Sequence, residues 1–433
     1  MSINNQEILR MLEFREPKRE LSALTQLRQD LIRRIMEKQS PAQTKDLITI
    51  VQFFKGLTNL DENDLKTKYN ILKIKEWKVQ YPDFKFKLED GDIHAELISY
   101  KGKTFADFPP GLKGLNIKYC NNIEVLPELP PGLKDLSIWK CENLESIVEF
   151  PPGLESLSIT YGENLEAIPN FPSGLERLGI FHCPKLESVP DFPSSLKDLT
   201  FRDCDNLGSI PNFPPGLESL RFINFPNLEA IRDFPSGLKD LTFSDCRNLE
   251  AIPDFPSSLK DLSIKSCRNL KTLPEFPSSL KSLEIADYPN LASMPDFPPG
   301  LERLTISYRC SNIESVGGFP SSLKRLCIEY CSNLELSEFP PGLERLSIDH
   351  CRNIEVLPEF PSSLKRLYFN GCPKLKLLPE FLPGLERLFI DKCPNLGSLP
   401  SLPPSLEVLR IFDCPNLTQE TRYRIEEFNK KQS

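Results

Sequence analysis

The sequence predicts an α/β-solenoid, a chain that coils unit upon unit instead of closing on one compact core. Three observations predict it. A phrase close to LPELPPGLKDLSIWKCENL (Leu126–Leu144) returns throughout the chain. Its anchoring leucine falls at Leu112, Leu133, Leu154, Leu175, Leu196, Leu217, Leu238, Leu259, Leu280, Leu301, Leu323, Leu343, Leu364, Leu385 and Leu406, fifteen units spaced by 21 residues with one step of 22 followed by one of 20. Within each unit, aliphatic residues alternate with polar ones over a few residues, then give way to a cysteine and a proline-rich stretch.

The elements follow in chain order. Residues 1–76 read as a helical N-terminal domain. Apolar residues recur at three-to-four spacing over Glu7–Leu12, Arg19–Lys38, Thr44–Phe54 and Asp61–Ile74, and Ser40-Pro41 separates the second helix from the third. Residues 77–107 switch to period-two alternation. FKFKLE, then Asp90-Gly91, then DIHAELISY is a hairpin signal, expected to cover the open edge of the first repeat.

Residues 108–417 are the array. Counting from the anchoring leucine, L-x-x-L-x-[IF]-x-x-C-x-N-[LI] is a leucine-rich-repeat signature of the right period. Positions four and six point inward from a short strand, and positions three, five and seven point outward. Positions one and twelve fill the same layer. The phenylalanine before the prolines, from Phe150, Phe171, Phe192 and Phe213 on to Phe381, closes it on the far side. One unit alone cannot bury these groups, so the units stack into a horseshoe with a parallel sheet on its concave side. Twenty-one residues leave no room for a full helix on the convex side, where Pro-Pro-Gly and Pro-Ser-Ser suit an extended or 3₁₀ return path. Residues 418–433, TQETRYRIEEFNKKQS, read as a short charged helix or tail that caps the array. Short acidic, polar C-termini also resemble those of type IV secretion substrates.

Twelve of the 13 cysteines sit at or beside position nine: Cys120, Cys141, Cys183, Cys204, Cys246, Cys267, Cys310, Cys331, Cys351, Cys372, Cys393 and Cys414. Gly162, Phe225 and Tyr288 take that slot elsewhere. The chain turns off the strand there, and a small, half-apolar thiol fills the corner and donates to a turn carbonyl. No C-x-x-C occurs and only three histidines exist, so disulfide and metal pairing are not expected. The asparagine at position eleven (Asn143, Asn164, Asn206, Asn227) is expected to bond turn backbone.

Composition narrows the function. A net charge of −8 gives no general case for nucleic acid or an anionic membrane. MSINNQEILRML lacks the basic-then-apolar order of a secretory signal, and the longest apolar run, LITIVQFF (Leu47–Phe54), is too short to span a bilayer. A soluble protein made in a reducing cytosol is expected. Gly102-Lys103-Thr104 is not a phosphate loop, because the pattern needs glycine where Leu97 stands. His182 and His350 share a repeat position eight units apart, roughly 38 Å at strand spacing, and cannot share a reaction. No catalytic, metal or cofactor constellation stands out, so neither enzyme activity nor a cofactor is expected.

LPELPPGLKDL resembles the LPX-type leucine-rich repeats of bacterial effectors of the YopM and IpaH kind. The resemblance covers Phe108 to about Leu417. It implies a helical N-terminal cap, delivery into a host cell and binding of a host protein. Two features depart from that pattern: units of 21 residues, and cysteine in place of the usual asparagine at position nine. The cysteine form also looks like the terminal repeats of plant intracellular immune receptors. The repeats run to within 20 residues of the chain's end, so the IpaH group's ubiquitin-ligase activity is not carried over.

Function is expected on the concave face. Position three drifts from Asp135, Asp198, Asp240 and Asp261 to Arg303, Arg325, Arg345, Arg366 and Arg387. Position seven is expected to compensate in part, Glu329, Asp349 and Asp391 beside Arg325, Arg345 and Arg387, and Arg202 and Lys265 beside Asp198 and Asp261. One reading is a self-neutralising charge lattice. The other is a basic track for an acidic peptide or phosphate, with Arg303 and Arg366 least neutralised. Trp139, Phe181 and Ile223, two units apart, and Tyr368, Phe389 and Phe412 near the other end are candidate protein-binding side chains, though Phe412 is expected to pack under the C-terminal cap. The sequence thus predicts a non-enzymatic scaffold, a bacterial effector that binds a host protein with an acidic segment. A resident cytosolic adaptor, or an enzyme housed in the N-terminal domain with the repeats as substrate reader, remains open, as does the oligomeric state.

Overall fold

The computed structural model describes residues 62–102, 108–109, 111–288, 294–307, 318–331 and 336–432. The helices expected over Glu7–Leu12, Arg19–Lys38 and Thr44–Phe54 lie outside the described residues. The chain divides into two compact units, Met1–Ala95 and Glu96–Ser433.

The first unit contains helix α1 (Glu62–Gln80) and a hairpin of β1 (Phe84–Glu89) and β2 (Asp92–Ile98), whose last three residues belong to the second unit. The helix runs past the boundary expected at residue 76. WKVQ continues it, and it ends two residues short of Pro82, whose ring cannot follow a helical residue. The hairpin turn uses Asp90 and Gly91, with φ of 50° and 78°. Two successive positive φ values match the right-handed twist of the paired strands. Trp77, Phe84 and Phe86 pack together, Trp77 and Phe86 with ring centroids 5.7 Å apart.

In the second unit every anchoring leucine is followed by one five-residue strand at positions three to seven. These are β3 (Gly114–Lys118), β5 (Asp135–Trp139), β7 (Ser156–Thr160), β8 (Arg177–Phe181), β9 (Asp198–Arg202), β10 (Ser219–Ile223), β11 (Asp240–Ser244), β12 (Asp261–Lys265), β13 (Ser282–Ala286), β14 (Arg303–Ser307), β15 (Arg325–Glu329), β16 (Arg345–Asp349), β17 (Arg366–Asn370), β18 (Arg387–Asp391) and β19 (Val408–Phe412). Each pairs in parallel with the next, position on position. Positions four and six are buried and positions three, five and seven are mostly not, as in the alternation of DLSIK in β12. A second, minor pairing joins β4 (Val125–Leu126) to β6 (Ser146–Ile147).

The interior is a set of ladders. Phe150, Phe171, Phe192 and Phe213 stack at 6.1–6.4 Å with their planes within 15° of parallel. Phe201, Phe222 and Phe243 form a second stack at 5.8–6.0 Å. Away from the sheet the described residues form no helix within the repeats. Each proline corner is a single turn closed by an i to i+3 bond, such as the Leu133 amide to the Pro130 carbonyl at 3.0 Å. The position-nine thiols are buried and donate to strand carbonyls: Cys204 reaches the Ile180 oxygen at 3.7 Å and the Arg202 oxygen at 3.4 Å. Burial pushes Cys183 and Cys204 up to about 12. Position-eleven asparagines bond the preceding unit, as Asn164 does to the Glu142 carbonyl at 2.8 Å.

Helix α2 (Gln419–Gln432) follows the last repeat. Thr418 caps it by accepting the Thr421 amide at 3.3 Å. Arg424 donates to the Leu399 carbonyl at 2.7 Å and Arg422 to the Leu417 carbonyl at 3.0 Å, which ties the helix to the final units.

Candidate functional site

The open face of the sheet presents three outward rows, one at each odd strand position. A strand advances about 3.3 Å per residue, so positions three and seven lie about 13 Å apart. That distance decides the charge question. No position-seven carboxylate pairs with a position-three arginine among the described residues, contrary to the expected compensation. Glu329 instead accepts from Ser307 at 3.0 Å and Cys327 at 3.3 Å, Asp349 pairs with His350, and Asp391 meets Lys392 at 3.9 Å. In the early units Lys265 likewise turns to Glu284, at 2.7 Å, and not to Asp261.

The self-neutralising lattice exists one position earlier. Position two is Lys or Glu in every unit, and several pairs of opposite sign bridge neighbouring units: Lys134 to Glu155 at 2.6 Å, Lys197 to Glu176 at 2.8 Å and Lys239 to Glu218 at 2.8 Å. Lys197 lowers the Glu176 carboxyl from its ordinary range through that hydrogen bond.

Position three is left as an acidic stretch beside a basic one. Burial, and then the charge of Asp261, raise the Asp240 carboxyl. Arg303 was expected to be among the least neutralised, yet its Nη2 sits 2.9 Å from Asp261 Oδ1. Arg325, Arg345, Arg366 and Arg387 are direct neighbours on β15 to β18, and among the described residues none has a carboxylate within 4.0 Å. Each neighbouring pair of like charges at about 4.8 Å costs up to about 1 kcal/mol in water-like surroundings. The buried Nε of Arg387 lacks a hydrogen-bond partner among the described residues.

The middle row holds Cys327, Ser347, Tyr368 and Phe389 beside those arginines. Tyr368 and Phe389 stack at 4.8 Å and 11°, and the Arg410 guanidinium lies over Phe389 at 5.9 Å. Phe412, expected under the cap, is 60% exposed, because it stands at the outward seventh position of the last strand.

Trp139, Phe181 and Ile223 do not form one patch. Arg202 separates Phe181 from Ile223. The Phe181 ring folds back over Gly179, where an added Cβ would meet it at 2.5 Å. Trp139 belongs to an edge row that the sequence reading missed. Its ring meets Tyr119 at 4.7 Å and Tyr161 at 6.3 Å, and Tyr161 stacks on His182 at 4.5 Å. Tyr119, Tyr161 and His182 occupy position eight, where φ is positive in unit after unit, from 55° at Tyr119 to 47° at Asp413. The signal was present: Asp203, Asn224, Asp245, Asp287, His350 and Gly371 at that position are residue types that tolerate left-handed backbone.

A depression of ≈ 490 Å³ beside β11 to β15 is lined by Asp245, Lys265, Arg268, Glu284 and Asp287, of which Lys265 pairs with Glu284 at 2.7 Å and Arg268 with Asp287 at 2.9 Å. Among the described residues no group of three or more His, Cys, Asp or Glu side chains is placed to hold a metal ion, and no helix is long and apolar enough to cross a membrane.

No protein-family model matches the chain, and no curated protein sequence matches it. Solved structures do. The leucine-rich effector protein YopM from Yersinia pestis superposes with a TM-score of 0.50 at 22% identity, over 82% of this chain and 96% of that one. YopM from Yersinia enterocolitica gives a TM-score of 0.38 at 23% identity, over 75% of this chain and 90% of that one. CroV588, a circular LRR protein, gives 0.42 at 19% identity over 70% of this chain, which spans 60% of that protein. The first of these likenesses establishes the leucine-rich-repeat fold and nothing more specific.

Proposed function

We propose that the chain is a non-enzymatic protein-binding scaffold of the effector kind, which engages an acidic segment of a host protein through the sheet face of its C-terminal repeats. The observation that carries this reading is the row Arg325, Arg345, Arg366 and Arg387, in register and without carboxylate partners among the described residues. A folded protein holds such a row at a cost that an incoming anion removes. Arginine forks grip carboxylates bidentately, and the Tyr368–Phe389 stack beside them supplies the aromatic anchor typical of binding hot spots. Trp139, in its edge row with Tyr119 and Tyr161, and Phe181, set apart from it by Thr160, are two further contact points on the early units. The likeness to a protein named as a leucine-rich effector is in keeping with delivery into a host cell, after synthesis in the cytoplasm.

The test is affinity capture from host lysate with wild type and with Arg325→Glu, Arg345→Glu and Arg366→Glu combined. Loss of the captured partner, with wild-type capture weakening as salt rises, is expected. Capture unaffected by both would exclude the basic track. Trp139→Ala with Phe181→Ala is expected to weaken recovery without unfolding. A translocation reporter fused to the chain separates an effector from a resident adaptor, which would show no transfer.

A further inference from the structure

We infer that the element docking on the C-terminal face is an α-helix with acidic residues along one flank, basic residues along the other and an apolar stripe between. This rests on the reading of that face as a protein-binding surface, and it names the partner's shape and charge order. Across β15 to β18 the strand starts carry Arg325, Arg345, Arg366 and Arg387, and the strand ends carry Glu329, Asp349, Asn370 and Asp391. Between them run Cys327, Ser347, Tyr368 and Phe389, half-buried. The face is therefore basic on one margin, acidic on the other and partly aromatic along its midline.

Width selects the occupant. The margins lie about 13 Å apart, four residues along a strand. A helix with its side chains is about 10–12 Å across, so one helix laid across the strands touches both margins and rests on the midline. An extended segment is about 4.8 Å from its neighbours in a sheet and follows one margin only. Length agrees: three strand steps of about 4.8 Å make about 14 Å, or roughly ten helical residues at 1.5 Å each. Charge order fixes the orientation, with the helix's acidic flank over the arginines and its basic flank over Glu329, Asp349 and Asp391. The acidic margin can take a basic flank because, among the described residues, its carboxylates meet hydroxyl, thiol and imidazole groups and Lys392 at 3.9 Å, and no arginine.

Cys327 supplies a local reporter. It is the half-buried thiol on the midline of this face, on its first strand β15, whereas the other described cysteines are buried. The experiment uses the full chain and synthetic 14-residue peptides, three of them for the wild type. One is stapled helical with glutamates on one flank, leucines in the middle and lysines on the other. The second is stapled with its charges shuffled between flanks. The third has the striped order but is broken by two prolines. Fluorescence anisotropy is expected to show the striped helix binding at least about tenfold tighter than either control, a difference of about 1.4 kcal/mol. Mass-spectrometric mapping is expected to show that the striped helix slows maleimide labelling of Cys327. Reversing Glu329, Asp349 and Asp391 to Lys is expected to abolish this preference, and a peptide with glutamate on both flanks is then expected to bind the variant best. Equal binding of the shuffled or proline peptide, or unprotected Cys327, overturns the helix. If capture of a partner still depends on the arginines in that case, the basic track survives and only the helix is lost.

Discussion

Arg303 steps over a strand to reach Asp261: Nη2 and Oδ1 are 2.9 Å apart, and Nε lies 3.3 Å from Ser282 Oγ on the strand between. The same step joins Arg177 to Asp135 across Ser156, at 3.6 Å. The short serine leaves room for two long side chains to meet above it. Arg303 thus closes the acidic stretch, and the next four arginines begin beyond its reach.

Asp261→Asn should therefore free Arg303 and lengthen the basic row by one. The pair is exposed, so urea denaturation is expected to show a stability change within about 0.5 kcal/mol. A glutamate-rich peptide should bind roughly threefold tighter and with a steeper salt dependence, as added complementary charge mainly aids association. A stability loss above about 2 kcal/mol would show that the contact is structural.

The buried thiols predict an alkaline limit. Cys183 and Cys204 titrate at about 12 and Cys351 at about 11, held up by burial, against about 8.5 for a free thiol. The unfolded chain gives up its protons first. This contribution is therefore complete below about pH 8.5 and is lost as the pH rises toward 11 and 12. The urea midpoint should fall across that window, and cysteine-to-serine replacement at Cys183 and Cys204 should flatten the fall.

Among the described residues, position eight is most strained where it is neither glycine nor one of the residue types that tolerate left-handed backbone. Lys392, at φ 50°, should gain about 1 kcal/mol on change to glycine, read as a higher urea midpoint. Gly371→Ala runs the other way. Its φ is +63° and the new Cβ would lie 3.0 Å from the His350 ring, so a loss of about 1–2 kcal/mol is expected.

Phe222 lies between Phe201 at 6.0 Å and Phe243 at 5.8 Å, with Phe225 at 5.4 Å. Phe222→Ala should cost about 3–5 kcal/mol, because a stack held from both sides cannot close over the hole. Hydrogen exchange should rise first in β9 to β11, since each unit leans on its neighbours alone.

The coil and its layers were legible because burying leucine at positions one and four and aliphatic or aromatic residues at position six admits one arrangement per unit. The Asp90-Gly91 turn was legible for a similar reason: few dipeptides tolerate two positive φ values. Charge partners were not. Arg325 and Glu329 look like neighbours in the sequence, but a strand holds them apart, while Arg303 and Asp261, 42 residues distant, touch. Phe412 was misread because an outward seventh position was assigned to a cap that does not cover it. Helix α1 overran its expected end because WKVQ fits a helix and a strand equally well, and only Pro82 decides.

One residue is gained between Leu301 and Leu323 and one is missing before Leu343, yet β14, β15 and β16 pair position on position as if nothing had changed. Hydrogen-bonded rungs, not the contour length of the connecting chain, set the pitch. The margin beyond the strands is therefore a tolerant place for grafting: a tag or reporter loop inserted there would leave the spacing of the arginines untouched.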